Sequence, residues 1–183
     1  MESDNLFSNT YRIESNAPLA DKLRPNNLDD FFGQEDILGK NSLLRNAILS
    51  DKLGNVIFAG PPGVGKTTLI EIISSNTRAS LIKLNAVLSS IKELRIEIAN
   101  AKERLLSTNR KTILFIDEVH RFTSAQQDAL LPLIENGTIT FIGATTENPF
   151  FAVNKALISR ARIFSLQPLK KNDLKKIIEK VIK

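Results

Sequence analysis

At 183 residues the chain is long enough for one substantial core, and with 42% apolar and 25% charged residues it has the composition of an ordinary globular protein, with no apolar run near the roughly 18 residues of a membrane span. The absence of cysteine excludes disulfides, thiolate ligands and thiol catalysis, and a single histidine, His120, argues against a histidine-built metal site or triad. The net charge of +5 is uneven, since residues 1–50 are net acidic while residues 170–183 carry six lysines against Asp173 and Glu179 with no aromatic residue between them to stack bases.

Residues 1–17 are polar and aperiodic, which predicts a flexible N-terminal segment. They carry acids and amides where a secretory leader needs a basic start and an apolar stretch, so export is not expected and a cytoplasmic location is. Leu19 to Asp36 reads as a docking segment ahead of the regular pattern. From Asn55 the order becomes strand, loop, helix: VIFAG is a short buried-type strand, followed by a Gly-rich turn and a helix over about 65–75. Leu81 to Asn85 is a second strand. Ser90 with Glu93 forms a capping box before Ile91, Leu94, Ile98, Ala101 and Leu105, whose spacing draws one helical stripe.

After the polar turn STNRK, Thr112 to Asp117 is the third strand. Thr123 with Gln126 caps a helix that carries Leu130, Leu131 and Ile134 and stops at Asn136-Gly137. Thr138 to Thr145 is a fourth strand, Asn154 to Ser159 a short helix, Arg162 to Leu166 a fifth strand, and KKNDLKKIIEKVIK after Pro168 a single amphipathic helix. Such alternation predicts an α/β fold: a parallel sheet covered by helices on both faces, with ligands beyond the carboxyl ends of the strands.

Two motifs carry chemistry. Residues 60–67, GPPGVGKT, match G-x-x-x-x-G-K-[ST] at every fixed position. Glycines there let backbone N–H groups turn inward and approach phosphate oxygens, Lys66 is placed to reach the β- and γ-phosphates, and the Thr67 hydroxyl to ligate Mg²⁺. The phosphate cradle is therefore Gly60, Pro61, Pro62, Gly63, Val64, Gly65, Lys66, Thr67 and Thr68. Fifty residues on, ILFIDE ends a strand in two carboxylates. Successive side chains at a strand end diverge, so Asp117 is assigned to Mg²⁺ through its water shell and Glu118 to polarising the attacking water. The two halves together predict a Mg-ATP site.

On LADKLRP at 19–25, FFGQEDILG at 31–39, GPPGVGKTTL at 60–69, ILFIDEVHRF at 113–122, QQDALLPLIENGTITFIGATTENPFF at 126–151 and SRA at 159–161, the chain resembles an AAA+ ATPase of the clamp-loader clade. More narrowly it is similar to the replication-associated recombination protein A family (RarA, also called MgsA), bacterial relatives of the Werner-helicase-interacting ATPase. Branch-migration motors of the RuvB type share the DE-x-HR and GATT elements, but ENPFF resembles the recombination-protein family.

The resemblance implies a three-layer αβα P-loop NTPase with a five-stranded parallel sheet. It implies an AAA+ core over 18–168 and the first helix of a truncated lid over 169–183, with the rest of the lid and its second sensor arginine absent. It implies that Thr146, with Thr145 as neighbouring candidate, is the sensor at the fourth strand end. Asn85 is implied as the polar residue that holds the catalytic glutamate in check, and Arg160 as the finger inserted into a neighbour's site, with Arg162 as a competitor. Leu19–Pro25 and Phe31–Leu38 are implied to hold the adenine, while His120 and Arg121 belong to the signature without a chemical role.

The implied function is a DNA-associated ATPase core acting in fork maintenance, recombination and repair. DNA junctions or forks and, for the longer protein, a homo-oligomer are the implied partners, at the nucleoid. The alternatives are a nucleotide-gated interaction module with little hydrolysis, or a clamp-loading or branch-migration motor subunit. Lys92, Arg95, Arg110 and Lys111 are candidates for phosphate contact.

Overall fold

The computed structural model describes residues 24–182. Five strands, β1 (Val56–Ala59), β2 (Ser80–Asn85), β3 (Thr112–Asp117), β4 (Ile139–Thr145) and β5 (Arg162–Ser165), form one sheet in the order β2-β3-β4-β1-β5. Every pairing is parallel. Strands covered on both faces need apolar residues at successive positions, not alternate ones, and VIFA, TILFI and ITFIGA meet that need. The edge strands β2 and β5 are only partly buried.

Alternate side chains then build two cores, one on each face. Val56, Phe58, Ile113, Phe115 and Ile142 pack with Leu69, Ile70, Ile72 and Ile73 of α3 (Lys66–Ser75). That core also takes Leu38 of α1 (Glu35–Leu38) and Leu44 and Ile48 of α2 (Leu43–Leu49). Ile57, Leu114, Ile116 and Phe141 pack on the other face with Leu94 and Ala101 of α4 (Ile91–Thr108) and with Leu130, Leu133 and Leu157. This is the three-layer αβα arrangement that the alternation of strands and helices predicts. No helix among the described residues is long and apolar enough to cross a membrane.

The structure departs from the sequence reading at four places. The two short helices α1 and α2 precede the first strand, where only a docking segment is expected. The helix expected from Thr123 to Asn136 is two helices, α5 (Ser124–Asp128) and α6 (Leu131–Glu135). Pro132 has no N–H to donate to the Asp128 carbonyl, and its ring collides with that carbonyl in a continuous helix. A further short helix, α7 (Pro149–Ala152), occupies the ENPFF segment, with the Asn148 side chain accepting from the Phe150 N–H. The stripe on α4 is buried fully only at Leu94 and Ala101; Ile91, in the first turn beyond the end of β2, is exposed.

The chain continues through α8 (Lys155–Ile158), capped by Asn154, into β5 and then α9 (Lys171–Ile182). Residues 24–38 and 167–182 are joined by a side-chain amide clamp. Gln34 Nε2 donates to the Gln167 carbonyl at 2.6 Å and its Oε1 accepts the Gln167 N–H at 2.9 Å. Lys180 of α9 pairs with Asp30 at 2.6 Å, and that ammonium, with the Asn27 amide, holds the Asp30 carboxyl below the usual range. The segments 1–17 and 19–23, expected to be flexible and to dock, lie outside the described residues.

Asn55 ties three strand starts together. Its Oδ1 accepts the Phe141 N–H at 2.9 Å, its Nδ2 donates to the Arg160 carbonyl at 3.3 Å, and its own carbonyl accepts the Arg162 N–H at 2.9 Å. Replacing Asn55 by Ala leaves the Phe141 donor without its partner. Urea titration of Asn55→Ala is expected to show a loss of about 1–3 kcal/mol with an unchanged denaturant slope.

Candidate active site

The order β2-β3-β4-β1-β5 sets the carboxyl ends of β3, β4 and β1 side by side, and the site is built there. Beyond β1, the Gly60 N–H donates to the Thr145 carbonyl at 3.1 Å, which seats the loop against the end of β4. A Cβ on Gly60 would stand 2.5 Å from the Leu166 carbonyl oxygen, so no larger residue fits. Gly65 caps α3 with φ of 98°, and a Cβ there would lie 2.7 Å from the Phe31 ring.

Among the described residues, the N–H groups of Gly63, Val64, Gly65, Lys66, Thr67 and Thr68 have no protein acceptor. They are the orphan donors of a helix start and the turn before it, aligned with the positive end of the helix dipole. That donor set fits the phosphates of a nucleotide.

The Lys66 side chain is buried, and its Nζ donates to the carbonyls of Gly60 at 2.6 Å and Pro61 at 2.9 Å. Burial pushes its pKa below the usual lysine value, while Glu118 and Asp117 act to raise it. Asp117, the last residue of β3, is pushed above the usual carboxylate range, chiefly by burial. The Glu118 N–H at 3.1 Å opposes that shift, the Glu118 charge adds to it, and Lys66 opposes it. One lysine facing two partly buried carboxylates leaves an excess of negative charge. The carboxylate oxygens are the hard ligands that suit Mg²⁺, an ion normally held by one or two protein groups plus phosphates and water.

Glu118 does not continue the strand. Its φ of 51° is left-handed, so the divergence of the two carboxylates comes from a backbone turn and not from strand alternation. A non-glycine residue there costs about 1 kcal/mol or more and persists where its surroundings hold it. Thr146 Oγ1 donates to Glu118 Oε2 at 3.1 Å, and His120 Nδ1 lies 3.3 Å from the same oxygen. The neighbouring Thr145 is fully buried, with its hydroxyl 2.9 Å from His120 Nδ1. Of the two threonines, Thr146 is the one at the glutamate.

Asn85 stands level with Asp117 in the β2–β3 pairing, yet its Oδ1 accepts the Val87 N–H at 2.9 Å. Among the described hydrogen bonds it does not reach Glu118. The residues that stand at Glu118 are Thr146 and His120, while the Asn85 side chain satisfies the adjacent turn. Arg160 lies at the opposite end of the sheet, just before β5. Its Nε donates to Glu135 Oε1 at 2.8 Å, and its Nη1 to the Ala156 carbonyl at 2.9 Å and Ser159 Oγ at 3.1 Å. Arg162 and Arg121 are exposed.

A cleft of about 560 Å³ runs beside the loop, lined by Arg24, Pro25, Phe31, Val64, Ile177 and Lys180 among others. Part of the expected adenine-holding segment therefore lies on it. The contributions of Phe31 against Gly65 and of Ile177 and Lys180 from α9 are not readable from sequence spacing, because each depends on segments that meet only in the fold. His120 sits inside a legible motif, but its partners come from another strand.

Residues 56–169 match the model of the ATPase family associated with various cellular activities (AAA). The chain is 49% identical over 166 residues to replication-associated recombination protein A of Haemophilus influenzae, covering 91% of this chain and 37% of that protein. It is 47% identical over 176 residues to the Escherichia coli K12 protein of the same name, covering 96% and 37%. It is 42% identical to the ATPase WRNIP1 of Dictyostelium discoideum, covering 96% and 20%. The chain thus spans little more than a third of the length of the bacterial relatives. Among solved structures, the Thermotoga maritima RuvB Holliday junction branch migration motor superposes with a TM-score of 0.68 at 35% identity, covering 86% of this chain and 53% of that one.

Gly65→Ala should place a methyl against the Phe31 ring in a left-handed conformation. Thermal unfolding is expected to register a loss of about 1–3 kcal/mol, and binding of a fluorescent ATP analogue to weaken with it.

Proposed function

Since the chain belongs to the AAA family of ATPases, and within it to the replication-associated recombination protein A group, we propose that it is the ATP-binding and ATP-hydrolysing core of a DNA-associated AAA ATPase. The observation that carries the reading is the meeting, at three adjacent strand ends, of an anion cradle, a buried lysine and a carboxylate pair with a hydroxyl donor on one member.

In this reading the free N–H groups of residues 63–68 and the Lys66 ammonium hold the phosphates, the Lys66 carbonyl contacts being exchanged for phosphate oxygens. Thr67 and Asp117 would hold Mg²⁺, which would supply positive charge to offset the negative charge of the phosphates. Glu118 accepts a proton from, and so orients, the attacking water, and Thr146 fixes that carboxylate from the β4 side. The cleft between Phe31 and α9 takes the base. Asn85 keeps its proposed role as a restraint only if the turn at Val87 opens.

Arg160, at the end of the sheet away from its own phosphate loop, serves the site of a neighbouring copy. Such a contact is worth on the order of 10³ to 10⁵ in rate where a finger arginine has been measured in related phosphoryl transfer. DNA at stalled or damaged forks is the proposed target, on the strength of the replication and recombination proteins that the chain resembles, with a cytoplasmic, nucleoid-associated location.

Mg-ATP turnover measured across protein concentration, with and without DNA carrying a single-strand to duplex junction, tests the reading, with Lys66→Ala as blank. Turnover rising with both protein and DNA supports it; no turnover above the blank sinks hydrolysis and leaves a nucleotide-gated module. Stimulation by four-way junctions alone would favour a branch-migration motor. Glu118→Gln is expected to keep ATP affinity and lower the single-turnover rate by about 10² or more. Arg160→Ala should lower turnover by a similar factor and be restored by mixing with the Lys66→Ala variant, which supplies the arginine in trans.

A further inference from the structure

We propose that His120 is a positioning residue for ATP hydrolysis, holding the Glu118 carboxylate in one orientation against the end of β4. The inference deepens the reading above and rests on Glu118 being the group that orients water. His120 lies on the single 3₁₀ turn of Val119–Arg121 that follows Glu118, and its side chain is only 5% exposed. Its Nδ1 is 2.9 Å from Thr145 Oγ1 and 3.3 Å from Glu118 Oε2, and its Nε2 is 3.3 Å from Glu147 Oε1.

The imidazole thus has the Thr145 hydroxyl at hydrogen-bond distance on Nδ1 and a carboxylate oxygen 3.3 Å from each of its two nitrogens. Thr145 is itself fixed, since its hydroxyl accepts the Glu147 N–H at 3.0 Å. The frame that holds His120 is thus the end of β4 itself.

The geometry acts on one oxygen of the glutamate. Thr146 and His120 both meet Oε2, from β4 and from the 3₁₀ turn, while Oε1 has no partner among the described residues. Two contacts on Oε2 stop rotation of the carboxylate and leave Oε1 as the oxygen that can face water. A free glutamate has several rotamers, and the conformational entropy lost in freezing them is met in advance by the fold. The alternative, an ordinary core histidine that merely fills space, gives no account of why its partners are the glutamate, the β4 end residue and Glu147 at once. Glu147 has a half-exposed side chain and opens the segment that bears the exposed Phe150 and Phe151. The catalytic carboxylate is thereby linked through one ring to the surface.

The test is single-turnover hydrolysis of Mg-ATP, together with ATP affinity by calorimetry and thermal unfolding. The proteins compared are the wild type, His120→Ala, His120→Asn, Glu118→Gln and the double variant Glu118→Gln/His120→Ala. His120→Ala should slow hydrolysis by about 10- to 100-fold while ATP affinity changes by less than about twofold, the signature of a misplaced catalytic group. His120→Asn, whose amide falls at the Nδ1 place, should recover part of the rate and provides the folded comparison if the alanine variant is unstable. The double variant should be no slower than Glu118→Gln alone, because His120 acts through that residue. A wild-type rate in His120→Ala, a folded His120→Asn that recovers no rate over Glu118→Gln, or losses that multiply in the double variant would overturn the proposal while leaving the ATPase reading intact. A wild type no faster than Lys66→Ala would overturn both.

Discussion

The hydrogen bond from the Gly60 N–H to the Thr145 carbonyl extends the β1–β4 pairing one step past the last strand residue, and the site depends on it. It fixes the start of the phosphate loop relative to the residue that precedes Thr146. Lys66, six residues on, folds back to the carbonyls of Gly60 and Pro61, so its ammonium inherits the same reference frame. Parallel pairing of β3 with β4 then sets Asp117 and Glu118 beside that frame. Each element of the site is therefore placed by backbone hydrogen bonds of the sheet, and the side chains have short distances left to cover.

The electrostatics follow from that placement. A lysine and two carboxylates share a partly buried volume, so each feels both desolvation and its neighbours. Burial favours the neutral form of Lys66 and of Asp117, and each is drawn back by the opposite charge across the site. The excess negative charge and the unused N–H donors are complementary demands. A polyphosphate with its divalent cation satisfies both at once, which neither a bare anion nor a bare cation would do.

Much of this was legible in the sequence, for reasons that differ by element. The strands VIFA, TILFID and ITFIGAT announced themselves because a doubly covered strand has to be apolar without interruption, and the capping boxes at Ser90 and Thr123 marked helix starts that the structure keeps. The phosphate loop and the acid pair were legible because their chemistry demands fixed residue types at fixed spacing. What was lost depended on contacts between distant segments. Pro132 breaks a helix whose apolar pattern continues across it, Asn85 turns to its own loop instead of the glutamate, and Glu118 leaves the strand by a backbone turn that no side-chain pattern encodes. The ring of His120 joins two stretches 25 residues apart, and the Gln34–Gln167 clamp joins two that are 133 apart. Periodicity sees neither.

That clamp has a mechanical consequence. Gln34 binds the backbone of Gln167, between the end of β5 and the start of α9, while Lys180 near the far end of α9 grips Asp30. The chain is thus tied to the same short stretch just before the helix begins and again near the helix's end, and the cleft wall formed by Phe31 and Ile177 lies between the two ties. A helix held at one point can swing, whereas one held at two moves only together with what it is fastened to. Phe31, whose ring stands where a Cβ on Gly65 would fall, lies one residue from the carboxylate that Lys180 holds, so the last helix and the cap of α3 share a single short stretch of chain as their common neighbour.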